Sequence, residues 1–245
     1  MNINSVGIIG YGKFGKLLYE LIHRANPSVE IKVFSRNPIK GETQFSSLEE
    51  ICKSDLVIPA VPVSSLKPVL SEISTHIHSN GIVMDVSSVK EFPVKLMKNM
   101  LPKTVTIIGS HPLFGPGTVE KLKNMYDLKI VMSCIQGDQI LYRNVQQLFK
   151  NINLTIIEMI PEEHDKLMSK SQFISHIIAG ILKDYQFQKT SVDTNSAQLL
   201  HDFETMIQAD TQLLQDMFIY NQFCKLEFEK FETSYNNIKS LLIHS

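Results

Sequence analysis

Short apolar runs of strand length alternate with longer segments of helical periodicity over the first 159 residues of this 245-residue chain. This alternation is typical of a parallel sheet covered by helices on both faces, because a parallel connection needs a crossover long enough to hold a helix. The apolar runs predict seven strands, namely Val6–Gly10, Ile31–Ser35, Leu56–Val61, Ile82–Val86, Val105–Gly109, Ile130–Ser133 and Leu154–Met159. The sequence therefore predicts an α/β fold with a doubly wound parallel sheet.

A glycine-rich turn, VGIIGYGKFG, joins the first predicted strand to a predicted helix. Gly10, Gly12 and Gly15 have the spacing GxGxxG. In this pattern the first glycine allows a tight turn, the second lets a pyrophosphate approach the helix N-terminus, and the third permits close packing of helix on strand. The strand-turn-helix context favours a Rossmann-type dinucleotide site over a plain glycine-rich turn.

The second predicted strand ends in VFSRNP, without the carboxylate that usually grips the ribose of NAD. Ser35 can hydrogen-bond a 2'-phosphate and Arg36 can pair with it, so we predict NADP as the cofactor, with NAD as the alternative. In the alternative interpretation Arg36 is a solvated residue, Ser35 begins a turn, and Glu42 serves NAD from further along. The predicted cofactor contacts are Gly10, Gly12, Lys13, Phe14, Gly15, Ser35, Arg36 and Pro62.

The pattern changes at Pro161, after which little strand signal remains. Three long helical stretches are predicted, with breaks near Tyr185–Asp193 and around Asn221. We therefore predict a dinucleotide-binding domain over residues 1–160 and an all-helical domain over residues 161–245, which caps the first or pairs two subunits.

Composition favours small-molecule chemistry over macromolecular partners. The formal net charge of −1 and the lack of long basic runs argue against nucleic-acid binding, and no apolar segment approaches the roughly 20 residues that span a bilayer. Cys52, Cys134 and Cys224 are widely separated, which predicts neither a disulfide framework nor a metal site. The N-terminus leads almost directly into a strand, so we expect no targeting peptide and a cytoplasmic protein.

Two further motifs follow predicted strands. DVSSVKEFP places Ser87 and Ser88 where open parallel sheets bind ligands, although Ser88 in isolation is better explained as a cap of the next helix. GSHPLFGP places His111 after the fifth strand, where Pro112 restricts its conformation. A histidine held on such a stiff loop can accept a proton near neutral pH, and the alternative is a loop histidine satisfied by the backbone.

A fourth motif, PEEHDKLMSKSQFISH, opens the helical region. A single long helix is predicted, on which Asp165, Ser169, Gln172 and His176 form one narrow stripe. A polar stripe of this kind either faces water or lines a buried cavity that binds a polar substrate, and the spacing does not decide between these.

Taken in order, GYGKFG, DVSSVKEFP, GSHPLFGP, EEHDKLMSKSQFISH and MFIYNQ resemble the prephenate and arogenate dehydrogenase family of tyrosine biosynthesis. The resemblance covers almost the whole chain and is strongest to the plant-type, NADP-using arogenate dehydrogenases. It implies an N-terminal Rossmann domain, an all-helical C-terminal dimerisation domain and a homodimer. It also implies NAD(P)-dependent oxidative decarboxylation of arogenate or prephenate.

The resemblance assigns roles to individual residues. His111 is expected to accept the proton of the ring hydroxyl while hydride leaves the same carbon, and Ser88 is expected to orient that hydroxyl. His176 is expected to bind substrate, with Gln172 and Ser87 nearby.

One departure from the family pattern concerns substrate recognition. Many bacterial relatives carry a substrate-binding arginine in a stretch that here reads FETMIQADTQLL and contains none. We expect Asp210 to favour the ammonium group of arogenate, and the alternative is a solvated acid at a helix start. Two other classes stay open: another Rossmann small-molecule dehydrogenase and a non-catalytic NADP-binding sensor.

Overall fold

The computed structural model describes residues 3–39, 43–121, 128–208 and 210–243. The chain divides into two compact units, Met1–Pro161 and Glu162–Ser245. This division lies within one residue of the boundary predicted between residues 160 and 161.

The first unit is built on a seven-stranded sheet with the order β2-β1-β3-β4-β5-β6-β7. Its strands are β1 Ser5–Ile9, β2 Glu30–Phe34, β3 Leu56–Pro59, β4 Ile82–Met84, β5 Thr106–Pro112, β6 Lys129–Gln136 and β7 Thr155–Glu158. Its helices are α1 Lys13–Ala25, α2 Leu48–Ile51, α3 Leu66–His76, α4 Glu91–Met100, α5 Pro116–Lys121 and α6 Gln139–Asn151.

Alternate residues of the central strands enter two different hydrophobic clusters. Ile8 packs in one cluster with residues of α1 and α6, whereas Ile9 packs in the other with residues of α3 and α4. Both faces of the sheet are therefore covered, which explains why the strands are continuous apolar runs and not alternating ones. The predicted doubly wound α/β class is confirmed.

The direction of the last two strands corrects the sequence prediction. Strands β1 to β5 are mutually parallel, but β6 is antiparallel to β5, and β7 is parallel to β6. Strand β5 has seven residues and rises about 23 Å, whereas the six-residue helix α5 rises only about 9 Å. The chain returns along β5 as β6 itself, without a parallel crossover.

The second unit consists of five helices in its described residues: α7 Pro161–Lys170, α8 Gln172–Asp184, α9 Asn195–Ile207, α10 Thr211–Tyr220 and α11 Cys224–Ile243. The predicted breaks at Tyr185–Asp193 and around Asn221 are present. Two further breaks, at Ser171 and at Gln208, were not predicted. Gln208 ends α9 in the left-handed conformation, with φ 49°, and such a residue terminates helices without any glycine signal.

Asn221 closes the turn between α10 and α11. Its side chain is buried, donates a hydrogen bond from Nδ2 to the carbonyl of Asp165 at 2.8 Å, and accepts one at Oδ1 from the N–H of Phe223 at 3.0 Å. This amide therefore connects α7 to the start of α11. Within the described ranges, no helix is both long enough and apolar enough to cross a membrane.

Candidate active site

The glycine turn after β1 is shaped by close backbone approaches. Gly10 has φ +108°, and a Cβ there would lie 2.5 Å from the carbonyl oxygen of Ala60. A Cβ on Gly15 would lie 2.1 Å from the carbonyl oxygen of Gly10. Both positions therefore exclude a side chain, for the reasons that the GxGxxG spacing predicts.

Gly12 differs from the other two glycines, because nothing in the protein lies within 4 Å of a Cβ built on it. It is the N-cap of α1, without a side-chain cap, and the first turn contains no acidic residue and includes the exposed Lys13. The N-terminus of α1 therefore has open space at Gly12, no side-chain cap and a positive charge beside it. Such an arrangement fits the pyrophosphate of a dinucleotide, which Gly10, Gly12 and Lys13 would hold.

At the end of β2 the structure places Ser35 in a turn, where its Oγ accepts a hydrogen bond from the N–H of Asn37 at 3.2 Å. This is the turn role given above as the alternative, but the hydroxyl keeps its own hydrogen as a donor. Arg36 is exposed, as phosphate binding requires. Glu42, the alternative residue for NAD, lies outside the described residues.

The remaining predicted residues of the first unit lie in a row along one edge of the sheet. Pro62 is exposed after β3, Ser87 and Ser88 follow β4, and His111 lies near the end of β5. Because β1, β3, β4 and β5 are parallel neighbours in this order, their carboxyl ends meet at the same edge. Three strand spacings of about 4.8 Å separate the glycine turn from His111 by about 14 Å.

His111 lies in a strand, which corrects the prediction that it belongs to a loop. Strand β5 continues through His111 to Pro112, and His111 is paired with Val131 of β6. The side chain is 3% exposed. The antiparallel ladder with β6 extends β5 beyond the apolar run, and this pairing is not visible in the local sequence.

The histidine motif also contacts the glycine motif. The ring of Phe114 packs against the ring of Phe14 in α1, with a centroid distance of 6.4 Å. The structure therefore joins the two motifs that lie about 100 residues apart in sequence.

Ser88 does not cap the following helix. Helix α4 begins at Glu91, its N-cap is Lys90, and no side chain caps it. The capping interpretation of Ser88 is therefore wrong, and its partly buried side chain follows β4 at the same edge as His111. Ser87 is buried, and its N–H donates to Asp85 Oδ2 at 3.1 Å.

A buried polar cluster that the sequence reasoning missed lies between β4 and β5. The Lys90 ammonium donates to the carboxylate of Asp85 and to the carbonyl oxygen of Ser110. Asp85 Oδ1 accepts from the N–H of Ser110 at 3.2 Å, and the Ser110 hydroxyl donates to the Asp85 carbonyl at 2.6 Å. The available signal was the placement of an acid and a base, five residues apart, around the two serines after a buried strand.

In the helical unit, the predicted polar stripe is divided between two helices, because the chain breaks at Ser171 between α7 and α8. Asp165, Ser169 and His176 are nevertheless buried, and Gln172 is partly buried. The stripe therefore does not face water.

Two atoms of this stripe have no hydrogen-bond partner although they are buried, namely Gln172 Oε1 and His176 Nδ1. They lie one turn apart on α8. Buried polar atoms without partners are costly and therefore uncommon, so each is a candidate to bind a ligand. Burial lowers the pKa of His176 below its usual value of 6.5, and the carboxylate of Asp210 opposes this shift.

Asp210 caps helix α10, where its Oδ1 accepts from the N–H of Leu213 at 3.1 Å. It is exposed. This matches the alternative of a helix-start acid. The same carboxylate is also close enough to His176 to raise its pKa, so capping and proximity to His176 coexist.

The glycine cradle and the polar row at the carboxyl edge of the sheet, which includes the buried His111, are those of a Rossmann-type oxidoreductase that uses a nicotinamide dinucleotide. Residues 36–158 match the family described as prephenate dehydrogenase, nucleotide-binding domain. The chain belongs to the prephenate dehydrogenase family, which confirms the predicted resemblance.

Individual relatives agree with this assignment. Arogenate dehydrogenase 2 of Arabidopsis thaliana is 25% identical over 97% of this chain, which spans 69% of that relative, whereas the chain spans only 39% of arogenate dehydrogenase 1. The solved prephenate dehydrogenase of Aquifex aeolicus, in complex with hydroxyphenyl propionate and NAD+, has a TM-score of 0.78 at 23% identity. It covers 100% of this chain, and the match covers 92% of that chain. These structural similarities show the fold.

Proposed function

We propose that the protein catalyses the NADP-dependent oxidative decarboxylation of arogenate or prephenate, a step of tyrosine biosynthesis. One observation carries the proposal: His111 and Ser88 lie on neighbouring strand ends, in the same row as the glycine cradle. When bound, the nicotinamide supplies the hydride acceptor. The protein's own residues must align the substrate and remove one proton.

In this proposal His111 is the general base. It accepts the proton of the ring hydroxyl as hydride leaves the carbon that bears that hydroxyl, and carbon dioxide then leaves as the ring becomes aromatic. Ser88 donates a hydrogen bond that orients the hydroxyl toward His111. A general base of this kind must be neutral at the working pH.

We infer that His176 and Gln172 of the helical unit also bind a polar group of the substrate. His176 Nδ1 and Gln172 Oε1 are buried without partners, so a polar substrate group would satisfy them. Because burial lowers the pKa of His176, the imidazole stays neutral near pH 7 and binds by hydrogen bonds.

Arogenate is the favoured substrate. Its side chain carries an ammonium group where prephenate has a ketone, and the carboxylate of Asp210 attracts a cation near His176. The test is Asp210→Asn, in which the amide keeps a side-chain oxygen for the cap. We expect the ratio of kcat/KM for arogenate to that for prephenate to fall by about tenfold. An unchanged ratio contradicts the role of Asp210.

NADP is the favoured cofactor because Arg36 is exposed beside the hydroxyl of Ser35 at the end of β2. Arg36→Glu places a repelling charge at the same position. We expect the preference for NADP over NAD to fall by about 100-fold, as measured by the ratio of kcat/KM values. Arg143→Glu in α6 is a control with the same charge change.

We also propose a homodimer formed through α11. From Glu232 to Ile243 every residue of this helix is exposed, including Tyr235, Ile238 and Leu242. A helical segment of this length is marginal in water unless its apolar residues are covered. A second copy of the same helix offers a matching apolar surface. Light scattering should give twice the chain mass of 27.8 kDa, and Ile238→Glu should give the monomer mass.

The decisive experiment compares turnover of both substrates with both oxidised cofactors in wild type and His111→Asn. We expect the variant to lose at least about 100-fold in kcat while it binds reduced cofactor normally. His76→Asn, at an exposed position of α3, is the control. A wild-type protein that binds NADPH but turns over neither substrate would instead be a sensor.

A further inference from the structure

Lys90 and Asp85 form a buried ion pair for which the proposed reaction has no direct use. Their side chains are 1% and 0% exposed. Charges are tolerated in a protein interior when they are paired and hydrogen-bonded, and removal of one partner leaves the other uncompensated.

The pair connects two neighbouring strand ends. Asp85 directly follows β4, and Ser110 lies in β5. The Asp85 carboxylate accepts the N–H of Ser110, the Lys90 ammonium donates to the Ser110 carbonyl, and the Ser110 hydroxyl donates to the Asp85 carbonyl. The charged side chains of Asp85 and Lys90 and the backbones of Asp85 and Ser110 therefore form one hydrogen-bonded cluster.

This cluster lies immediately beside the proposed catalytic groups. His111 is the next residue after Ser110, and Ser88 lies between Asp85 and Lys90. The Asp85 carboxylate also accepts the N–H of Ser87, which fixes the chain just before Ser88. Any loosening of the cluster would move the base and the hydroxyl donor relative to each other.

A lysine in this motif is a candidate to bind a substrate carboxylate, but the environment of Lys90 argues against this role. The Lys90 ammonium already donates to Asp85 and Ser110 and is almost completely excluded from solvent. To reach a ligand it would have to leave the Asp85 carboxylate as an unpaired buried charge.

We propose that Lys90 is a positioning residue, which acts through Asp85 and Ser110 to hold His111 and Ser88 in the geometry for proton removal. The inference rests on the proposed function. Because a misplacement of about 1 Å can cost about 100-fold in rate, loss of the cluster should lower kcat by about 10- to 100-fold.

The test uses the double variant Asp85→Asn/Lys90→Met, which removes both charges together and leaves neither unpaired. We expect it to melt within a few degrees of wild type and to keep both KM values within about twofold, while kcat falls as stated. If the pair served only to stabilise the fold, a double variant as stable as wild type would instead have the kcat of wild type. Lys95→Met, at an exposed position of the same helix, is the matched control.

A folded double variant with kcat within about twofold of wild type overturns the proposal. So does a tenfold rise in the substrate KM at unchanged kcat, which indicates direct binding. If the double variant does not fold, Ser110→Ala removes the hydroxyl contact to Asp85, and an unchanged kcat there overturns the proposal equally.

A second readout needs no turnover and therefore separates this inference from the proposed function. The His111 imidazole resonance of isotope-labelled protein, assigned with His111→Asn, should shift and titrate differently in the double variant. An unchanged resonance and titration curve overturn the positioning role, whereas absent turnover in wild type overturns the proposed function alone.

Discussion

Gly12 and Gly15 should respond in opposite ways to the same substitution by alanine. At Gly15 the new Cβ would lie 2.1 Å from the carbonyl oxygen of Gly10, so the two must separate by about 1.3 Å to reach the 3.4 Å of an ordinary contact. The atom in the way is backbone and cannot rotate aside. At Gly12 the new Cβ meets nothing within 4 Å.

The energies follow from these distances. Gly15→Ala gains about 0.5–1 kcal/mol in helix propensity but incurs the larger cost of overpacking, so we expect a net loss of about 1–2 kcal/mol. For a chain of this size that loss lowers the Tm by roughly 2–8 °C. For Gly12→Ala, the poorer N-cap and the smaller backbone entropy of the unfolded chain nearly cancel, so stability should change by less than about 1 kcal/mol.

For cofactor binding we expect the reverse order, with Gly12→Ala reducing the affinity for NADPH more than Gly15→Ala does. The open space at Gly12 is where we expect the pyrophosphate, so its methyl group should weaken NADPH binding by at least about tenfold in a protein of normal stability. Calorimetric titration with NADPH and thermal unfolding by circular dichroism measure the two effects separately. Wild-type affinity in a well-folded Gly12→Ala variant would refute the assignment of the cradle.

Three other outcomes are expected. Asn221→Leu should destabilise the protein by about 2–4 kcal/mol in urea unfolding, because the Asp165 carbonyl and the Phe223 N–H both lose a partner; exposed Asn236→Leu should not. Since the pKa of His176 is lowered below 6.5 in the fold, the unfolded state binds more protons below that pH. The free energy of unfolding should therefore fall by up to about 1.4 kcal/mol per pH unit as the pH drops from 6.5 to the lowered pKa of His176, and the loss should be smaller in His176→Gln. Burial raises the pKa of the Cys52 thiol to about 11 and that of the Cys224 thiol to about 12. A thiol reagent at pH 8 should leave both unmodified in the native protein and modify them in guanidinium, and rapid native modification would contradict this.

Local patterns were sufficient to predict the class of fold, the family and most strand positions, because each depends on residues close together in sequence. The central strands are apolar on both faces, and the glycine turn depends on only a few consecutive residues. The direction of β6, in contrast, cannot be predicted from a local pattern. It depends on how the chain returns after His111, and an apolar run has the same appearance whether it is parallel or antiparallel.

In the candidate site, too, local patterns predict some features, whereas others depend on long-range contacts. The sequence predicts roles for His111, Ser88 and His176, but it placed His111 in a loop because strand pairing with Val131 is a long-range property. It left Lys90 without a role, since only the fold brings the Ser110 carbonyl to that ammonium. The helix break at Ser171 was also missed, because no proline or glycine marks it.

The reversal of β6 has a practical consequence for protein engineering. Residues 113–128 connect the end of β5 to the start of β6, and the antiparallel pairing places both ends at the same edge as His111. Partly exposed positions of a connection tolerate changes in composition better than the strands that it joins. Phe114 and Leu128 are buried in the core and should be kept, whereas Leu113, Gly115 and Thr118 are only partly buried. A library confined to these three positions would therefore vary the surroundings of His111 while the β5–β6 ladder stays intact, which makes them the first positions to diversify when new substrates are sought.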